Sequence, residues 1–324
     1  LLIWIYTFKG GIKTIVYTDT FQTFFLVSSV LITVVIIMTR LDWSITESVV
    51  NLTERGFFKM TYFNDFRSPL FFPKQFFGGM FIAIAMTGLD QDLMQKNLTC
   101  KSINDAQKNM WSFTAVMVVV TFLFLVLGGL LYSYAEINGI ALPMNAEGKI
   151  QTDRVFPTLA LNEFGTIAAV FFLLGITASS YASADSALAA LTTGFCIDFL
   201  KVEEKPEEYR KKAKWWTHIA FSVLFLIIIL GVKELNQAAL ISTILKVAAY
   251  TYGPLLGLFA FGILTKRQVK DKWVPLVCLS SPILCYILSL NSKVWLNGYV
   301  FGLEMLILNG LLTSIGLFII SRKN

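Results

Sequence analysis

Between Gly175 and Ala190 the chain carries four serines, a threonine, one carboxylate and otherwise mostly alanine. This stretch lies inside an apolar run, roughly residues 165–199, long enough to cross a membrane. Ser179, Ser183, Ser186 and Ala190 are spaced four, three and four apart, so they share one helical face, with Asp185 beside it. A carboxylate at membrane depth is expensive, and by default it marks an ion or substrate path. Carboxylate and hydroxyl oxygens are also what a small hard cation takes as ligands. A second carboxylate, Asp19, follows Gly10-Gly11 at the start of the first apolar run, about 12 Å of helix inside it. Asp185 precedes Asp198 on a run heading toward the same side and lies about 20 Å from that end. If the two helices touch, Asp19, Asp185 and the serine face can enclose a sodium ion or hold a proton. The structural alternative is that each carboxylate pairs with a Lys or Arg, or sits protonated.

Lys246 is the obvious rival partner, because the sequence places it deep in another apolar run. An ion pair with Asp185 accounts for both residues without a bound cation; contact with an anionic solute accounts for the lysine alone. In the same run, Tyr250 to Gly257 contains a Gly253-Pro254 break and a Gly253-xxx-Gly257 spacing, of the kind found where membrane helices pack closely or expose backbone. A further polar patch, residues 88–97 with Asp90, Gln91 and Gln95, reads either as functional or as an ordinary interfacial helix end.

The elements that must position these residues are membrane helices. Of 324 residues, 56% are hydrophobic and only 15% charged, against about 25% charged in an average chain. Eight apolar runs are predicted as spans: residues 12–38, 76–94, 110–134, 165–199, 215–231, 238–264, 273–290 and 295–320. Seventeen Lys and Arg fall on the side of the first loop and nine on the other, which predicts a cytoplasmic first loop and a cytoplasmic C-terminus in a multi-pass cell-membrane protein. Two longer outer loops are expected to hold short helices at residues 44–52 and near 154–162. The basic residues lie in short loops between spans, which argues against nucleic-acid binding. The lone His218 has no evident nucleophile beside it, which argues against an enzyme, and the four cysteines have no metal-ligand spacing, so no transition metal is expected.

Three segments together resemble the sodium/solute symporter family, whose members carry sugars, proline, sialic acid, iodide and vitamins. Gly10-Gly11 with Tyr17-Thr18-Asp19 and Gln22 is similar to the family's Gly-Gly … Trp-Thr-Asp-x-x-Gln signature. Gly88-Leu89-Asp90-Gln91 through Lys108 resembles a second family stretch, and residues 178–198 resemble its sodium-site helix. The resemblance implies an all-α, leucine-transporter-like inverted-repeat fold, of which this chain supplies the second half plus C-terminal helices. The first repeat is expected to be missing, and the chain by itself is expected not to transport. The resemblance also implies a main sodium site at Ser179, Ala182 and Ser183, where Ala182 lacks the usual hydroxyl. A second site falls on Asp19, Ala182, Asp185 and Ser186, where Asp185 replaces a serine. Substrate positions fall on Ala83, Met86 and Thr87, with Lys246 near a further one. The implied function is sodium-coupled import of a small organic solute (a sugar, sugar acid, amino acid or other carboxylate) across a lipid bilayer, with sodium as coupling ion and no other cofactor. A proton-coupled symporter of the same fold and a transporter-like sensor domain are the alternatives.

Overall fold

The computed structural model describes residues 2–90, 94, 97–145, 148–235 and 240–322, with side chains described for these except 2–19, 182, 185, 232–235 and 240–242. Ten α-helices are described: α1 Leu2–Leu41, α2 Ile45–Glu54, α3 Phe72–Gly88, α4 Ile103–Ile137, α5 Thr152–Asn162, α6 Gly165–Gly194, α7 Glu207–Leu235, α8 Leu240–Leu264, α9 Val274–Trp295 and α10 Met305–Ile320. A π-helical turn, Phe195–Phe199, extends α6. Six helical segments are long and apolar enough to cross a membrane, and the chain is a multi-pass membrane protein.

A described helix lies in each of the eight apolar runs, six of them in segments long and apolar enough to cross a membrane; α1, α4, α7 and α9 extend beyond their runs, whereas α3 ends at Gly88, before its run does. α4 begins at Ile103 because Ser102 caps it, its hydroxyl accepting from the Asp105 N–H at 3.2 Å. α10 is shorter than the predicted run because residues 296–304 form a loop. Asn297 (φ 52°) and Gly298 (φ 88°) turn the chain there in the left-handed region that favours glycine. The expected outer-loop helices are α2 and α5. α2 opens on a capping box: Ser44 Oγ accepts from the Glu47 N–H at 3.2 Å, and the Glu47 carboxylate accepts from the Ser44 N–H at 2.7 Å.

The helices fall into two compact units. One comprises Leu1–Phe57 and Thr99–Ala239, where α6 packs on α1, α5 and α7, and α4 packs on α1. In it Leu52 of α2 is buried beside Gly129 of α4, and the Phe156 and Phe172 rings lie edge to face at 4.8 Å. The other comprises Phe58–Leu98 and Leu240–Asn324, where α10 packs on α8, α9 and α3 around Ala85, Ala249, Cys285, Met305 and Leu306. There a two-stranded antiparallel ribbon joins β1 (Gln268–Val269) to β2 (Ser321–Arg322).

Candidate cation seam and solute face

The first unit is organised on the seam between α1 and α6. At its middle Gly175 lets the two backbones nearly touch: a Cβ there would lie 3.1 Å from Leu26 Cα and 3.2 Å from the Phe25 carbonyl oxygen. Further along, Arg40 at the end of α1 donates to the Glu163 carbonyl at 2.6 Å and to the Tyr134 hydroxyl at 2.9 Å. Residue 26 therefore meets 175 and residue 40 meets 163, so the helices run antiparallel. Seven residues are two helical turns, about 10 Å. Continued two turns from Leu26 and Gly175, this register sets the Asp19 position of α1 level with the Ala182 position of α6.

Angular position sharpens the picture. At about 100° per residue, Ala182 and Ser186 lie about 20° to either side of the Gly175 meridian, Ser179 about 40° from it, and Ser183 and Asp185 about 80° to opposite sides. On α1 the positions Asp19, Gln22, Leu26, Ser29, Thr33 and Ile37 form the matching stripe. Ser186 is buried, Ser179 is half-buried and Ser183 is exposed. The side chains of Asp19, Ala182 and Asp185 lie outside the described residues.

Two oxygens of the α1 stripe are buried without a hydrogen-bond partner: Gln22 Oε1 and Ser29 Oγ. Thr33, one turn beyond Ser29, is satisfied, donating to the Ser29 carbonyl at 2.8 Å. Leaving a buried polar atom unpaired costs about 1–3 kcal/mol, so two on one stripe are unusual. Sequence reading placed Gln22 only within a signature and did not single out Ser29.

The second unit holds the positions expected to face a solute. On α3, Ala83 is exposed, and Met86 and Thr87 are half-buried. Lys246 is exposed and makes no ion pair among the described residues. It lies on α8, six residues after Leu240. Lys246 and Asp185 belong to different units. Of the polar patch, Asp90 is described and half-buried, whereas Gln91 and Gln95 lie outside the described residues.

The Gly253-Pro254 break is a packing device. Pro254 has no N–H, so the Tyr250 carbonyl loses its helical donor. Asn309 of α10 replaces it: its amide donates to Tyr250 O at 2.9 Å and to Ala249 O at 3.1 Å. Its own oxygens accept from Ser281 Oγ at 2.6 and 2.8 Å and from Thr313 Oγ1 at 2.9 Å. A Cβ at Gly253 would fall inside Asn309, and one at Gly257 would lie 2.6 Å from the Gly310 carbonyl oxygen. α8 runs unbroken through the proline. Asn309 was missed by sequence reasoning; a lone amide beside Gly310 in an apolar run is the signal that marks it.

Two smaller polar groups are structural. His218 of α7 is buried with Nδ1 3.3 Å from Thr192 Oγ1 of α6. Lys74 lies 3.4 Å from the Tyr299 ring centre and 3.8 Å from Glu304, and it donates to the Val300 carbonyl at 3.2 Å. Burial, and then the neighbouring Glu304 carboxylate, push the Tyr299 phenol well above its ordinary range. Among the described residues there is no cluster of three or more His, Cys, Asp or Glu able to hold a metal.

The chain matches the model of the sodium:solute symporter family over residues 1–271. It is 23% identical over 319 residues to the sodium/sialic acid symporter NanT of Aliivibrio fischeri, covering 96% of this chain and 61% of that protein. It is 25% identical to the sodium/sialic acid symporter SiaT of Proteus mirabilis (82% and 54% covered) and 28% identical to mouse sodium-coupled monocarboxylate transporter 1 (80% and 42% covered). The chain thus spans between 42% and 61% of the length of these relatives. A solved Na+-coupled sialic acid symporter in a substrate-bound outward-open state superposes with a TM-score of 0.75 at 19% identity, covering all of this chain and 66% of that one. That likeness gives the fold as all-α and leucine-transporter-like. With 271 of 324 residues matched by a family of transporters rather than enzymes, the chain belongs to the sodium:solute symporter family.

Proposed function

We propose that this chain forms the cation-coupling part of a sodium-driven symporter that imports a small organic carboxylate. The observation that supports this most is the close antiparallel approach of α1 and α6 at Gly175, since the same register continued two turns would bring the Asp19 position level with the small, hydroxyl-bearing stretch 179–186. In this reading the Ser179 carbonyl and the Ser183 hydroxyl belong to one sodium site, and Asp19, Asp185 and Ser186 supply oxygens to a second, with Ala182 at both. A sodium ion seated there ties α1 to α6. Cation and solute then raise each other's affinity by the same factor.

The relatives' names narrow the solute, since sialic acid and monocarboxylates both carry a carboxylate. Lys246 offers the opposite charge. Ala83 and Met86 are apolar, which suits a compact acid better than a sugar needing several hydroxyl contacts. The distribution of Lys and Arg supports a cytoplasmic C-terminus in a bacterial plasma membrane.

The test is uptake by the full-length protein in proteoliposomes, using labelled lactate, sialic acid, galactose and proline with and without an inward sodium gradient. Sodium-dependent uptake of an acid is the expected result. Uptake indifferent to sodium overturns the reading. Uptake driven by a proton gradient alone moves it to proton coupling, the second reading, which Asp185 favours because a carboxylate takes a proton where the family's serine does not.

A further inference from the structure

We infer that Gln22 is a ligand of the coupling cation, supplying the side-chain carbonyl oxygen that completes the seat on the α1 side. This rests on the proposed α1–α6 cation seat and adds to it a residue that none of the site positions above includes. Gln22 lies one turn from Asp19 and one turn from Leu26, about 60° from the first and about 40° from the second in helical projection, so it belongs to the stripe that meets α6. Its Oε1 is buried and accepts no hydrogen bond. A buried amide oxygen normally has a donor or an ordered water. Here it stands one turn from the Asp19 position, on the stripe of α1 that meets α6.

Amide carbonyls are good ligands for hard cations because they concentrate negative potential without a proton to lose. A neutral amide adds an oxygen ligand without adding charge to a seat that already holds the Asp19 and Asp185 carboxylates. Ser29, 2% exposed and likewise unpartnered, carries the polar stripe along the same seam about 10 Å farther from the Asp19 end.

The experiment is thermal unfolding of the purified full-length protein, titrated with sodium chloride against N-methyl-D-glucamine chloride, so that the cation alone is the probe. Wild type is expected to be stabilised by sodium in a saturable way. Gln22→Ala is expected to need about tenfold more sodium for half the effect, and Gln22→Glu to need less than Gln22→Ala. A half-effect within twofold of wild type in Gln22→Ala overturns the Gln22 assignment, and the seat itself stands if Asp19→Asn still abolishes the sodium effect. If Asp19→Asn also leaves it unchanged, the seat fails and Gln22 with it. Should Gln22→Ala not fold, Gln22→Glu decides: a sodium half-effect that does not move from wild type overturns the assignment.

Discussion

The α1–α6 seam and the α8–α10 seam both bring helix backbones together over glycine, yet they treat their polar groups in opposite ways. At α8–α10, Asn309 is wholly buried and every strong hydrogen-bonding atom of its side chain is used, including the bond that replaces the donor lost at Pro254. At α1–α6, Gln22, one turn from the Asp19 position, and Ser29, two turns farther along, keep buried oxygens without partners. Small residues at helical spacing say only that two helices come close. The hydrogen-bond account distinguishes a closed structural joint from one that leaves oxygens unused.

The comparison breaks most easily at the closed joint. Asn309→Leu keeps the branched shape but is bulkier, and it strands the Tyr250 carbonyl, which has no donor at Pro254; the Ser281 hydroxyl keeps its bond to the backbone carbonyl of residue 309. At about 1–3 kcal/mol for the stranded carbonyl and about 1–3 kcal/mol for overpacking, the thermal midpoint is expected to fall by on the order of 10 °C, with the sodium response of the remaining folded protein intact. A sodium response lost in proportion to stability would show that the two seams are not separable in this way.

Gly175→Val tests the open seam. A branched side chain 3.1 Å from Leu26 Cα forces α1 away from α6, at about 1–3 kcal/mol for overpacking. Sodium stabilisation is expected to weaken at least tenfold while the effect on stability stays smaller than in Asn309→Leu. Ser44→Ala is the control with the smallest effect. It removes the cap of α2, worth about 1 kcal/mol, and is expected to leave sodium titration unchanged. The Ser44 N–H and hydroxyl hold the Glu47 carboxyl below its ordinary range. That contribution is present above the unfolded carboxyl pKa and is lost as pH falls through the lowered value, so the Ser44→Ala difference in midpoint shrinks in acid.

Much of the fold was legible because hydropathy finds the centre of every long helix. The ends were not, because caps such as Ser102 and turns such as Asn297-Gly298 act over a few residues that no window sees. Of the site, the spacing of the serines on one face of α6 was readable from the sequence, whereas the antiparallel contact of α1 with α6 at Gly175 was not. Asn309 was not, because a single amide in an apolar run acquires meaning only when a proline four residues beyond its acceptor, on another helix, removes a donor. Gln22 and Ser29 were invisible for the complementary reason: being unpaired is a property of the packed seam, not of the residue.

The central claim is that sodium sits between α1 and α6. Equilibrium binding of radioactive sodium to the purified full-length protein tests it most directly, comparing wild type with Asp19→Asn and with Asp19→Asn/Asp185→Asn. Saturable binding in wild type, weakened at least tenfold by the first change and lost with both, is the predicted result. Undiminished binding in the double variant would contradict it.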